Sequence, residues 1–160
     1  MKVLLAVDFS PIGREAAHMG YRVAQKFKMD VTFFHCAPMS SRFFEGYDIK
    51  AFISPTSAIE TDNLKQVATN KLHKVMEDVV AENGLQEGIG IDEHVSVGDA
   101  SESIVEYARE NGFDLIVIGY KSYSRLERLL VGSTADRVVR YAPCSVLVYR
   151  PKEEKKENKD

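Results

Sequence analysis

Lys2 is followed by Val3-Leu4-Leu5-Ala6-Val7, an almost unbroken apolar run that stops at Asp8. A strand covered on both faces shows such a run, whereas a half-exposed strand alternates. Ser10-Pro11 can open a helix, with the serine as cap and the proline in the first turn. From Ile12 to Lys28 the positions Ala16, Ala17, Gly20, Val23, Ala24 and Phe27 recur at helical spacing. Asp30 to Cys36, with Val31, Phe33 and Phe34 apolar, reads as a second strand. A long helix is predicted from about Ile59 to Asn83, because Leu64, Val67, Ala68, Leu72, Val75 and Val79 form one stripe and Asn83-Gly84 supplies a stop. A third strand spans Ile91 to Val97 and ends at Gly98. A helix capped by Asp99 or Ser101 runs to Arg109 and is closed by Glu110-Asn111-Gly112. Leu115-Ile116-Val117-Ile118 is the clearest buried strand and ends at Gly119. A last helix starts at Gly132-Ser133-Thr134 and ends near Tyr141, with Pro143 blocking its continuation before the strand Val146-Leu147-Val148.

Short apolar strands alternating with amphipathic helices are the mark of an α/β fold, an open, mostly parallel sheet with helices on both faces. Right-handed crossovers put the strand-to-helix loops on one edge, and ligands of such sheets bind outside the carboxyl ends of the strands. The loops expected there are Asp8-Phe9-Ser10, the region after Cys36, Val97-Gly98-Asp99, and Gly119 to Thr134. Residues 37–58 have no clear period and contain Pro38, Gly46 and Pro55 among several aromatics. A connection of that length reads as a functional lid or as a variable surface excursion. The tail 151–160, dominated by Lys and Glu, has no period on which to build a packed element and is expected to be disordered.

Composition narrows the class. At 160 residues the chain suits one domain, 1–150, with a core of its own. A net charge of -3 gives no global reason to expect nucleic acid or an anionic membrane as partner. The start, MKVLLAVDF, meets Asp8 before a leader core of useful length can form, and no apolar run approaches the ~20 residues that span a bilayer. A cytoplasmic location is expected. Cys36 and Cys144 lie in or beside apolar stretches and read as core or near-core thiols. No further Cys/His array accompanies them, so neither a disulfide scaffold nor a zinc site is indicated.

The segment from Gly119 to Thr134 holds the most chemistry. Gly119 follows a strand, where a missing Cβ permits a sharp turn or a close approach. Gly132-Ser133-Thr134 opens a helix whose first amides, with two hydroxyls, can cradle an anion. Lys121, Arg125 and Arg128 add positive charge, and phosphate is the simplest anion that uses all of this. Ordinary capping by Ser133 or Thr134, with turn duty for the glycines, accounts for the same residues without a ligand. Neither the Walker A spacing nor Gly-x-Gly-x-x-Gly is present. Asp8 can accept from ribose hydroxyls or hold a divalent cation through water; alternatively it bonds to loop amides. Ser10 reads as a cap, and His35 as a structural strand histidine. Tyr120 and Tyr123 fit either stacking or a plain surface role, and Arg137 and Arg140 read as facing solvent or a subunit contact. No Ser/His/Asp constellation or Gly-x-Ser-x-Gly elbow nominates a nucleophile and base.

These stretches resemble the universal stress protein family. The resemblance is carried by Lys-Val-Leu-Leu-Ala-Val-Asp-Phe-Ser at the start, Ser-Val-Gly-Asp-Ala from Ser96, Ala-Arg-Glu-Asn-Gly-Phe-Asp-Leu-Ile-Val-Ile-Gly up to Gly119, and above all Leu-Leu-Val-Gly-Ser-Thr-Ala-Asp-Arg-Val-Val-Arg-Tyr-Ala-Pro-Cys-Ser-Val-Leu-Val up to Val148. It implies a sheet of five strands in the order 3-2-1-4-5, like the adenine nucleotide alpha hydrolases. ATP-binding members carry Gly, two residues, Gly, nine residues, then Gly with Ser or Thr. Here Gly119, Gly132 and Ser133 match, while Ser122 replaces the second glycine. The resemblance implies that Gly119, Gly132, Ser133 and Thr134 hold phosphates and Asp8 approaches ribose. Ala6 or Val7 would lie near adenine, and His35, Cys36, Ala37, Val97 and Gly98 would wall the base pocket.

The same resemblance implies ATP as ligand, with Mg or Mn, or else AMP or another adenosine nucleotide. It also implies a homodimer through the last strand, Val146 to Tyr149, whose edge would otherwise expose backbone groups. The function expected is nucleotide sensing in a stress response, regulatory rather than strongly catalytic, with at most slow ATP hydrolysis and an altered surface for a protein partner. Ser122 motivates an alternative, a nucleotide-independent dimeric interaction module: a serine where positive φ is needed is strained by ~1 kcal/mol or more. The cations and Asp8 motivate a third, a phosphohydrolase or kinase.

Overall fold

A computed structural model describes residues 1–38, 58–120 and 132–152. Most of the long connection, the basic loop with Lys121, Ser122, Tyr123, Arg125 and Arg128, and residues 153–160 of the tail lie outside the described residues. The elements run β1 (Lys2–Ala6), α1 (Pro11–Phe27), β2 (Asp30–Ala37), α2 (Ala58–Asn83), β3 (Ile91–Val97), α3 (Ala100–Asn111), β4 (Leu115–Gly119), α4 (Ser133–Tyr141) and β5 (Ser145–Tyr149). All pairings are parallel and the strand order is β3-β2-β1-β4-β5. The sheet is therefore open, with β3 and β5 at its edges and the order reversing between β1 and β4.

The unbroken apolar runs follow from a core on each face. Val3 and Leu5 of β1 join Phe33, Val117 and the Leu64, Leu72, Val75 stripe of α2 on one side. Leu4 and Ala6 join Phe34, Ile116 and Ile118 beneath Ile104, Ala108 and Val138 on the other. Neither Leu4 nor Leu5 is left more than 1% exposed, and each such side chain contributes about 1.5–3 kcal/mol by leaving water.

The helix ends follow local chemistry. Ser10 caps α1, its Oγ accepting from the Gly13 N–H at 3.0 Å, with Pro11 at the first position. Asp99 rather than Ser101 caps α3, accepting from the Glu102 N–H at 2.9 Å, and Gly112 closes that helix in the left-handed region at φ +64°. Ser101 instead donates its hydroxyl to Asp99 Oδ1 at 2.6 Å. α1 ends without a glycine: Lys28 adopts φ +52° and donates to the carbonyls of Ala24 and Gln25. β1 stops one residue short of the apolar run, because Val7 lies past the last ladder pair, Ala6 with Phe34. Both cysteines are free and half-buried, and burial pushes both thiols upward in pKa. Among the described residues no helix is long and apolar enough to cross a membrane.

Candidate functional site

Parallel strands deliver the candidate residues to one edge. Ala6, Val7 and Asp8 end β1; His35, Cys36 and Ala37 end β2; Val97 and Gly98 end β3; Gly119 ends β4; and Gly132, Ser133 and Thr134 start α4. Ala37 and Val97 are register partners, and the Gly98 N–H donates to the Ala37 carbonyl at 2.9 Å. Gly98 holds φ +148°, which an L side chain rarely adopts. Lys121, Ser122 and Arg125 lie outside the described residues.

The β1–α1 turn is tightly built. The Val7 N–H continues towards β2, donating to the Phe34 carbonyl at 2.8 Å. The Val7 carbonyl meets His35 Nδ1 at 2.6 Å. A carbonyl only accepts, so Nδ1 carries the proton and the neutral ring keeps Nε2 as its acceptor nitrogen. His35 is 5% exposed, and burial lowers its pKa to about 4 against the opposing pull of the Val7 carbonyl and Asp8. Phe9 packs tilted against this imidazole with ring centroids 4.1 Å apart, and its backbone sits at φ +64°.

Asp8 is exposed, yet its Oδ1 is engaged by Ser10, which donates both its N–H at 3.1 Å and its hydroxyl at 2.6 Å. The bond to a loop amide that the sequence admits as an alternative role is thus present. Gly13 makes room for it, because a methyl at that position would overlap Asp8 Oδ1. Gly119 packs against the same turn: a Cβ there would stand 3.0 Å from Ile12 Cγ2 and 3.6 Å from the Gly13 nitrogen. Close packing of β4 on α1 accounts for this glycine without a ligand.

α4 starts differently. The Gly132 N–H donates to the carbonyl of Tyr120, next after β4, at 2.6 Å, and Tyr120 in turn donates its N–H to the Tyr149 carbonyl at 2.9 Å. As N-cap, Gly132 brings no side chain to the first-turn amides. Ser133 is exposed and Thr134 half-buried. Asp99 braces it from α3, its Oδ2 accepting from Arg137 Nη1 at 3.2 Å. The hydroxyl of Ser101 and the N–H of Glu102, with Arg137 adding a smaller part, hold the Asp99 carboxyl below its usual pKa. Arg137 and Arg140 face solvent as expected but are paired, Arg140 with Asp136 one turn earlier. Tyr120 is half-buried under the Arg150 guanidinium, 5.4 Å from the ring centroid.

Sequence reasoning missed Phe9, Gly13 and the Asp99–Arg137 brace. An aromatic residue inside a strand-to-helix turn was the available signal for Phe9; the other two depend on contacts that no local pattern encodes. Among the described residues no three His, Cys, Asp or Glu side chains gather as a metal-binding group. Two hollows lie outside the candidate residues, the first of them reaching the Asp99–Arg137 pair at Ser101 and Glu102. One of about 280 Å³ runs between α3 and α4 beside Val105 and Tyr141, and one of about 400 Å³ lies by Asp30, Gly90 and Tyr107.

The model of the universal stress protein family matches residues 1–150. Universal stress protein MJ0531 of Methanocaldococcus jannaschii is 32% identical over 154 residues, covering 96% of this chain and 84% of that protein. Among solved structures, the fold is shared with universal stress protein UspA from Lactobacillus plantarum at a TM-score of 0.71 and 23% identity, over 94% of this chain and 97% of that one. It is also shared with a universal stress protein in complex with cAMP, at 0.58 and 17% identity over 95% and 98% of the chains. The universal stress protein from Archaeoglobus fulgidus in complex with dAMP gives 0.54 and 22% identity over 94% and 98%.

Proposed function

Because this chain belongs to the universal stress protein family, we propose that it is a regulatory protein that binds an adenine nucleotide across the carboxyl ends of β1 and β4. The observation that carries this reading is the contrast among helix starts on that edge. α1 and α3 fill their first-turn amides with Ser10 and Asp99, whereas α4 begins on a glycine tied to the end of β4. Amides at a helix N-terminus attract anions through their hydrogen atoms and the helix dipole together. The phosphates take the first turn of α4, with Lys121, Ser122 and Arg125 in the connecting loop. The ribose takes Asp8, and the base takes the ends of β2 and β3. Structural relatives solved with dAMP and cAMP support an adenine nucleotide as the ligand class.

ATP is the form we favour, with AMP as the competing one. Mg²⁺ or Mn²⁺ would arrive with the phosphates, and Asp8 is the one carboxylate among the candidate residues to meet it. The reading is of binding rather than turnover. His35, the histidine at this edge, is buried and committed to the Val7 carbonyl, which removes it as a solvent-facing base. β5 at the sheet edge supports pairing with a second copy through Val146 to Tyr149.

The test is mass spectrometry of nucleotides released from freshly purified protein, followed by calorimetric titration with ATP and AMP, with and without Mg²⁺. An adenine nucleotide released or bound is expected. No release, and neither heat nor thermal shift at millimolar ATP or AMP, would overturn the reading.

A further inference from the structure

The β1–α1 turn contains a strained residue. Phe9 sits at φ +64°. A bulky aromatic avoids that region, and such a backbone persists only where its surroundings over-determine it. One side chain touches the turn on both sides of Asp8. The His35 ring packs against Phe9 in a tilted arrangement, with centroids 4.1 Å apart and an interplanar angle of 31°. Its Nδ1–H is bonded to the Val7 carbonyl at 2.6 Å. Asp8 lies between the two restrained residues.

We propose that His35 is the positioning residue of the crevice: by holding the Val7 carbonyl with Nδ1–H and the Phe9 ring with its face, it locks the turn that presents Asp8 to the ribose. This rests on the nucleotide reading above and deepens it. With residues 7 and 9 pinned, the direction of the Asp8 side chain is set by the backbone. Ser10 then seats Oδ1 through two hydrogen bonds, in the space that Gly13 leaves open. The carboxylate is thereby organised before any ligand arrives, so less freedom is lost on binding. The role needs one tautomer. Only a ring protonated at Nδ1 can donate to Val7, so the ring has to remain 95% shielded from solvent and neutral at Nε2.

Variants can separate the donor from the ring. His35→Asn keeps an N–H near the Nδ1 position and removes the ring; His35→Phe keeps the ring and removes the donor. The probes are AMP and 2′,3′-dideoxy-AMP, which differ only in the ribose hydroxyls, measured by calorimetry. Amide hydrogen exchange at Ser10 and Gly13 is measured in the free protein. The unaltered protein is expected to prefer AMP by about tenfold or more, the worth of one hydrogen bond to a charged group. His35→Phe erases that preference, and His35→Asn restores most of it even where the two variants unfold at the same urea concentration. A merely structural histidine would weaken both ligands equally. In the free protein His35→Phe lowers protection at Ser10 and Gly13 at least about tenfold beyond any global loss, and His35→Asn recovers it.

Retention of the AMP preference and of turn protection in His35→Phe would overturn the proposal. If no nucleotide binds the unaltered protein, the nucleotide reading fails on its own, and the exchange arm still decides whether His35 sets the turn. If the variants do not fold, nitrogen-15 NMR of the unaltered protein decides: an Nδ1–H tautomer supports the proposal and an Nε2–H tautomer overturns it.

Discussion

The β1–α1 turn and the β4–α4 junction stand side by side on one sheet edge and are built by opposite rules. The first satisfies itself. Ser10 caps the helix, Asp8 bonds Ser10, Gly13 leaves room for Asp8, and His35 closes on Val7 and Phe9. The second begins on a glycine that donates its N–H to the Tyr120 carbonyl and is braced from outside by Asp99 and Arg137. A turn that satisfies its own polar groups can present a side chain in a fixed direction. A helix start without a side-chain cap keeps its amide hydrogens for something else. On the nucleotide reading proposed above, the first region would supply the preset carboxylate and the second the backbone that meets the anion.

Acid separates the two regions with the largest effect. The pKa of His35 is lowered to about 4 in the folded chain from the ordinary 6.5, so below pH 6.5 the unfolded chain takes up a proton that the folded chain refuses. The stabilisation is complete above pH 6.5, declines as pH falls towards 4, and amounts to about 3 kcal/mol in all. Burial also lowers His94, so the comparison that isolates His35 is with His35→Asn, whose urea stability should fall less steeply between pH 6.5 and 5. Amide exchange should show the β1–α1 turn loosening in that window ahead of the start of α4. Equal slopes for the two proteins would remove His35 from the account.

Gly132→Asp should convert the open helix start into a self-capped one. Its backbone, φ −60° and ψ 146°, suits any residue. A carboxylate cap should raise stability by about 1 kcal/mol while lowering nucleotide affinity about 100-fold, by occupying the amides and repelling phosphate. Opposite signs in a melting curve and a titration are the signature; unchanged affinity would break the contrast between the two regions.

Gly13→Ala acts on the other side. It should displace the Asp8 carboxylate and cost about tenfold in AMP affinity, with stability altered by less than about 1 kcal/mol because alanine favours the helix. Calorimetry alongside urea unfolding checks both numbers. Arg137→Ala should have the smallest effect, below about 0.5 kcal/mol, because the pair with Asp99 is roughly half exposed. A larger loss in the melting curve would show that the brace, rather than the backbone bond from Gly132 to Tyr120, sets the position of α4.

The order of the elements and the sheet class were legible because they depend on local periodicity. Val3 to Val7 and Leu115 to Ile118 are apolar throughout since both sheet faces are covered, and Ser10, Asp99 and Gly112 mark helix ends by their own chemistry. Parallel topology then carries the ends of β1, β2, β3 and β4 to one edge, so the neighbourhood of the candidate site was legible as well. Its interior was not. His35 meets Val7 across 28 positions and Arg137 meets Asp99 across 38, and no pattern along the chain records which side chain closes on which carbonyl. Nor could the sequence reveal that Phe9 turns left-handed, that Gly13 yields its space to Asp8, or that Gly119 serves packing against Ile12. Periodicity and capping are decided by neighbours within a turn or two. The direction of a side chain at a strand end is decided by whatever the sheet places next to it, and only the folded chain supplies that.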